Sequence, residues 1–391
     1  MVYPVLNRRN QSRSQNRFGN IRSGPGDPSR NIDWTMLIPV VLLGIIGAFA
    51  IYSATFWKVD SDPYWFTVRQ VTFLIASAVV LVIVMAFDYQ VLRERAYFLY
   101  GCSIIALLMV LSVGALKGGA RLSFDFGPVS FQPAEFAKPA VLVALAAYFS
   151  ESREEVMSYS KFVGGLVLVG IPTALIIVQP DLGSAFVLIV GALAILVMAG
   201  ARLRYLALIS MLTIATVAAA VVAGIVDRYQ LKRITAFINQ NSTDRDLERY
   251  VFQVRYAKRA VATGGWFGKG YLDAPLTNGK FIPVQQSDFI FSAIAEQFGM
   301  IGGGVVLGLF GLLLFRIWRV GHLSKDLFGS YICAGIFGVI LWHVFQNIGM
   351  TMGIMPVTGV PLPFVSYGGS SLVAFAIMIG LVESIHMRRM R

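Results

Sequence analysis

The chain has 391 residues, of which 56% are hydrophobic and only 14% charged, with a formal net charge of +12. Soluble domains carry about 25% charged residues, so the composition excludes an ordinary soluble protein. The positive surplus suits nucleic acid, an anionic membrane surface or an anionic substrate, and the apolar runs described next remove nucleic acid from that set.

Residues 1–33 are polar and rich in Arg, Asn, Ser, Gly and Pro, with no apolar core of a signal peptide. They read as a disordered basic cytoplasmic tail. The rival reading, a transit peptide, needs an amphipathic helix that these Pro and Gly residues interrupt. Apolar segments then fall at about 36–56, 67–88, 96–116, 136–149, 162–178, 182–200, 204–226, 289–315, 328–352 and 367–387. Most approach or exceed the length of helix that crosses a bilayer, and 136–149 is short for a full crossing. The expected fold is an all-α membrane protein, a polytopic bundle of about ten transmembrane helices over 34–391, with a long extracytoplasmic loop, 227–287, between the seventh and eighth spans. With both termini inside, the short cytoplasmic pieces collect Arg8, Arg93, Arg153, Arg202, Arg316 and Arg388 among others, whereas the short outer loops hold only Lys58, Arg69, Lys117 and Arg121. Loops as long as 227–287 translocate largely regardless of charge.

Cys102 and Cys333 both sit in apolar runs, and His322, His343 and His386 are far apart. These patterns point to no disulfide, no cysteine metal site and no histidine metal site. Within the fourth span, Glu135 and Lys138 are three residues apart, share one helix face and are spaced to pair. Charges at that depth are expensive and often functional, so structural pairing and substrate contact both fit. Gln179 and Asp181 flank Pro180 before the sixth span, where capping fits better than catalysis.

The 227–287 segment is basic and aromatic, and long loops are usually functional. Its Arg and Lys residues suit a diphosphate headgroup or, equally, anionic lipid. Within Gly264-Gly265-Trp266-Phe267-Gly268-Lys269-Gly270, the glycines permit close backbone approach to a phosphate and Lys269 supplies charge. Ordinary loop glycines explain the pattern as well, and it is not a Walker motif. Asp288 stands immediately before an apolar helix. From the residues alone it is either a helix cap with Ser287 or a general base facing a substrate at the membrane surface. Glu296, eight residues on, is too far along the helix to share a proton with Asp288 and reads as an intramembrane structural or relay carboxylate.

Four blocks carry a family resemblance. They are Gly127-Pro128 with Gln132-Pro133-Ala134-Glu135-Phe136-Ala137-Lys138; Gln179-Pro180-Asp181-Leu182-Gly183-Ser184-Ala185; Ser287-Asp288-Phe289-Ile290-Phe291 with Ala295-Glu296; and the run from Asn347 through Pro356-Val357-Thr358-Gly359-Val360-Pro361-Leu362-Pro363 to Ser366-Tyr367-Gly368-Gly369-Ser370-Ser371. Together they closely resemble the signature of the SEDS (shape, elongation, division and sporulation) family, and Pro356–Pro363 resembles its RodA elongation branch. Where the family often has Arg-Trp and His-Thr-Asp, this chain has Leu122-Ser123 and Gln286-Ser287-Asp288.

The resemblance implies a peptidoglycan glycosyltransferase of the bacterial cytoplasmic membrane that polymerises lipid II into glycan strands and releases polyprenyl diphosphate, for cell elongation and shape. It carries the base to Asp288 and diphosphate binding to Arg233 first, with Lys269 second and Lys138 and Glu135 as further substrate contacts. A divalent cation, Mg or Mn, would bridge diphosphate and Asp288; no organic cofactor is implied. Expected partners are the growing strand, membrane lipid, a class B penicillin-binding transpeptidase and other cell-elongation proteins. The alternatives are a lipid II flippase and a non-catalytic scaffold for that transpeptidase.

Overall fold

The computed structural model describes residues 31–56, 62–117, 120–127, 129–151, 157–202, 204–207, 211, 215, 219, 228–240, 242 and 244–389. The tail expected over 1–33 lies outside these residues as far as residue 30. In chain order the helices are α1 (Trp34–Thr55), α2 (Trp65–Ala86), α3 (Tyr89–Glu94), α4 (Ala96–Val113), α5 (Pro133–Ser150), α6 (Tyr159–Val178), α7 (Leu182–Met198), α8 (Arg228–Ile238), α9 (Arg245–Gly264), α10 (Pro275–Asn278), α11 (Ile290–His322), α12 (Leu327–Thr351) and α13 (Gly369–Arg388).

Seven of these, α1, α2, α4, α6, α11, α12 and α13, are long and apolar enough to cross a membrane. The other three of the ten expected spans fall on α7, with 17 apolar residues, on α5, which carries Glu135 and Lys138, and on 204–226, where the residues described are helical. Lipid and protein divide the helices. Of these seven, α12 and α13 are the most buried and α2 and α4 the least; α5 is buried over most of its length as well, so α5, α12 and α13 form the centre and α2 and α4 the rim. Small residues allow the central crossing: a Cβ on Gly338 of α12 would lie 3.0 Å from the Val190 carbonyl of α7 and 2.9 Å from Ala194. Close approach of this kind supplies the packing that holds helices together in lipid.

Two regions depart from the expected all-helical outline. Between α4 and α5 lie β1 (Ala115–Lys117), β2 (Ala120–Phe126) and β3 (Val129–Phe131), an antiparallel sheet in that order with Asp125 opposite Ser130. Its signal was present, since Leu122, Phe124 and Phe126 alternate with Ser123 and Asp125 before Gly127-Pro128. The second is the long outer segment, which is largely helical. α9 buries Leu247, Val251, Val254, Ala257 and Ala260 along one face, and it packs against α11.

The turn after α9 fits a break in α11. Gly299 has φ 66 and ψ −159 inside that helix, which exposes backbone groups that the turn satisfies. The amides of Lys269 and Gly270 donate to the carbonyls of Glu296 (2.9 Å) and Gln297 (3.1 Å), while the amides of Met300 and Ile301 donate to Gly265 (2.8 Å) and Trp266 (3.2 Å). A Cβ on Gly268, whose φ is +83, would overlap the Gln297 backbone. Gly268→Ala should therefore lower the thermal midpoint of the purified protein, at a cost of about 1–3 kcal/mol. Gly308→Ala, at a helical site with open space around it, should hold or raise it.

At the far end of the bundle, charged residues tie the first helix to the last. Asp33 caps α1 through the Thr35 amide (3.2 Å), and its other carboxylate oxygen accepts from Arg316 of α11, Nε at 2.8 Å. The Asp33 amide donates to Glu383 of α13 at 2.6 Å, across 350 residues. Arg388 donates to the carbonyls of Met85 (3.1 Å) and Ala86 (2.6 Å) at the end of α2.

Candidate active site

A cavity of about 670 Å³ opens where α5, α7, α11 and α13 begin. Asp288, Lys138, Glu135 and Arg69 are among the residues that line it. Asp288 lies in the turn that leads into α11, its amide and that of Ser287 both donating to Val284 O at 3.2 Å. The cap position of α11 is Phe289, and no side chain caps that end. The capping alternative for Asp288 is thereby removed. Its carboxylate instead accepts from Ser287 Oγ at 2.8 Å and borders the cavity. Burial pushes the Asp288 carboxyl above the usual aspartate range, against the opposing pull of the Ser287 hydrogen bond and the Arg233 charge. Arg233 comes from α8 and donates to Val357 O at 3.3 Å. It meets Asp288 across Gly359: a Cβ there would lie 3.6 Å from Asp288 Oδ2 and 3.8 Å from Arg233 Nη1.

The irregular stretch between α12 and α13 cannot satisfy its own carbonyls, and one face of α12 supplies the donors. His343, Gln346 and Asn347 reach Pro361 O (2.9 Å), Pro356 O (2.9 Å) and Val360 O (2.8 Å). Asn347 Nδ2 also donates to the carbonyl of Asp288 at 3.0 Å. Ser366 Oγ donates to Ser287 O at 2.5 Å, and the Tyr367 amide to Gln286 O at 2.9 Å. Asp288 is thus strapped into place through its backbone, leaving its carboxylate to the cavity. Asn347→Leu would leave two carbonyls without this donor, at about 1–3 kcal/mol each. The rate at saturating substrate of the polymerisation that the family resemblance implies should fall by about 10²-fold through misplacement of Asp288, beyond the loss that the thermal midpoint accounts for.

On the opposite wall, Lys138 Nζ lies 2.6 Å from Glu135 Oε1, with both side chains buried. His343 Nε2 is 3.4 Å from the same ammonium. A carbonyl only accepts, so the bond to Pro361 O assigns the proton to Nδ1 and leaves the Nε2 lone pair for Lys138. Asp181 caps α7 through the Ser184 amide (3.0 Å) and receives Gln132 Nε2 at 3.2 Å.

With that geometry in view, the family model described as cell cycle protein, of the FtsW, RodA and SpoVE type, matches residues 33–391. The chain belongs to the FtsW/RodA/SpoVE family. Stage V sporulation protein E of Bacillus subtilis is 33% identical over 90% of this chain and 96% of its own length. Peptidoglycan glycosyltransferase MrdB of Escherichia coli K12 is 32% identical over 93% and 97%. Among solved structures, a chain from a peptidoglycan synthase complex that coordinates polymerization and crosslinking superposes with TM-score 0.75 at 29% identity, covering 92% of this chain and 98% of that one. The rod shape determining protein RodA of Thermus thermophilus gives 0.68 at 29% identity, with the same coverage.

Within this FtsW/RodA/SpoVE fold, the sequence-predicted residues separate into three groups. Asp288, Glu135 and Lys138 line one cavity, and Arg233 stands beside Asp288 at its edge. Lys269 is exposed on the turn against α11 and does not line that cavity. Glu296 accepts from the amides of Leu276 and Thr277, both at 2.8 Å, and from Thr277 Oγ1 at 2.7 Å, so it caps the short α10. Asp181 caps as expected. Sequence reasoning gave no catalytic or binding role to Arg69, His343, Asn347 or Ser366, reading Ser366–Ser371 only as a broken entry to the last helix, although a lone amide or imidazole in an apolar span is a signal in itself. Among the described residues no group of three or more His, Cys, Asp or Glu is placed to hold a metal ion.

Proposed function

We propose that this chain is a peptidoglycan glycosyltransferase that joins lipid-linked disaccharides into glycan strands and releases polyprenyl diphosphate. One observation carries the reading: a carboxylate held by its backbone, with its own acidity lowered by burial, borders a cavity that also holds Lys138 and Arg69 and adjoins Arg233. Relatives in the family bear this activity in their names.

In the reaction, Asp288 takes the proton of the acceptor hydroxyl as its oxygen attacks the donor's anomeric carbon. The bond from that carbon to the diphosphate breaks, and its electron pair leaves with the phosphate oxygen. Arg233, Arg69 and Lys138 provide positive charge where that negative charge develops, in place of the acid a glycosidase would use. A Mg- or Mn-type ion bound with the diphosphate would have Asp288 as its protein carboxylate, since among the described residues no cage of carboxylates is placed to hold a resident ion. Such an ion would add charge neutralisation at the leaving group. No organic cofactor enters this chemistry.

The distribution of Arg and Lys supports a cytoplasmic-membrane protein with both termini inside and Asp288 outside. Likeness to a chain of a synthase complex supports a crosslinking partner, a class B penicillin-binding protein. The elongation role, alongside other cell-elongation proteins, rests on Pro356–Pro363, because relatives named SpoVE, MrdB and FtsW match this chain almost equally, at 33, 32 and 32–33%.

The test is strand synthesis by the purified protein with its transpeptidase partner from labelled lipid-linked disaccharide. Polymer is expected. Its absence, from protein that is folded and still binds the partner, would favour the flippase or scaffold alternatives.

A further inference from the structure

Between Gln297 and Arg316, α11 has no charged or amide side chain. This stretch, Phe298–Phe315, is 18 residues, about 27 Å at 1.5 Å per residue, close to the ~30 Å hydrocarbon thickness of a bilayer. The composition of α11 therefore marks the hydrocarbon boundary on the Asp288 side at about Gln297. The 264–271 turn is hydrogen-bonded across that boundary. Lys269 and Gly270 meet α11 at Glu296 and Gln297, while Trp266 meets it at Ile301, beyond the Gly299 break and so further in. Those four bonds pair backbone groups of the turn and of the kinked helix that lipid would leave unsatisfied.

The side chains agree with this depth. Trp266 is 67% and Phe267 82% exposed, beside Met300 at 61% and Ile301 at 50% on the outward face of α11. On a water-facing loop these two rings would form an unprotected apolar tip. At this level they continue the lipid-facing surface of α11, where amphipathic rings concentrate in membrane proteins. Lys269, also exposed, stands at the boundary itself. Behind the tip, Tyr271 Oη donates to Phe49 O of α1 at 3.1 Å and stacks with Phe298, fixing the turn to both α1 and α11.

We propose that the 264–271 turn is a membrane anchor for the outer helices: Trp266 and Phe267 enter the upper hydrocarbon of the leaflet on the Asp288 side, and Lys269 meets the phosphates of its phospholipid headgroups. The occupant is bulk phospholipid, not the lipid-linked substrate, because the tip faces outward and does not line the cavity. Lys269 thereby leaves the set of diphosphate contacts.

The experiment uses full-length protein in nanodiscs without substrate, comparing wild type with Trp266→Phe so that the difference in emission isolates Trp266. Lipids brominated near the head of the chain should remove most of that emission, lipids brominated near the methyl end less, and aqueous iodide almost none. Moving the reporter by one residue, in Trp266→Phe/Phe267→Trp, should give the same order and guards against a local effect of the first substitution. Adding phosphatidylglycerol to phosphatidylcholine discs should raise the thermal midpoint of wild type and raise that of Lys269→Gln less. Quenching by iodide but not by bromolipid would overturn the anchor. An equal phosphatidylglycerol response in both proteins would overturn the headgroup contact of Lys269. Restoration of that contact only on adding the lipid-linked disaccharide would return Lys269 to the substrate and overturn the phospholipid assignment.

Discussion

Asp288→Asn should slow strand synthesis by about 10² to 10⁴, the usual contribution of a general base, and leave the protein folded. The two expectations follow from different parts of the residue. Its backbone carries the structural bonds, to Val284 and from Asn347, and Asn preserves these. Its carboxylate accepts one side-chain hydrogen bond, from the adjacent Ser287, so the thermal midpoint should hardly move. The base form is the ionised one, so activity is present above the Asp288 pKa and lost as pH falls through it. Because burial raises that pKa, the acid limb of the wild-type rate should lie above the ~3.9 of an ordinary aspartate. Arg233 holds the carboxyl down, so Arg233→Gln should move the limb to higher pH as well as weaken diphosphate binding. The measurement is labelled polymer formed per unit time across a pH series. A full rate in Asp288→Asn would remove the residue from catalysis, and an unshifted limb in Arg233→Gln would remove the electrostatic link.

The second large effect concerns the buried pair. Glu135→Ala would leave the Lys138 ammonium, itself fully buried, without its counter-charge, and breaking such a pair costs about 3–5 kcal/mol. A fall in the thermal midpoint of purified protein measures this. Replacing both members by apolar residues of similar volume, Glu135→Leu with Lys138→Met, should restore most of the stability, because desolvating two charges offsets much of their attraction. Polymerisation should not return with it if Lys138 also serves the leaving diphosphate. Recovery of activity together with stability would make the pair purely structural.

Membrane character was legible because an uninterrupted apolar run such as Phe298–Phe315 has few other physical explanations. The pairing of Glu135 with Lys138 was legible for the same local reason, since three residues along a helix bring side chains together. The contact of Lys138 with His343 was not, because it joins residues 205 positions apart and depends on how α12 sits against α5. Asp288 could not be resolved between cap and base from its neighbours. The answer turned on a backbone conformation that makes Phe289, not Asp288, the first cap residue. The glycines of 264–270 read as a phosphate turn or an ordinary loop. Their reason, close approach to a kink at Gly299, lies in a segment about 30 residues away. The β2 strand was missed because its alternation is only seven residues long and sits between stronger apolar signals.

The bond between the Asp33 amide and Glu383, with Arg316 between the same helices, also orders events during synthesis. α1 leaves the ribosome before α13, yet its N-terminal end is fastened by a residue of that later helix. Until α13 has been inserted, Asp33 can hold Arg316 but has no Glu383 to receive its amide, and α2 lacks its main packing partner. The early helices must therefore wait in lipid as a loose set, and closure of the bundle belongs to the end of biogenesis rather than its beginning.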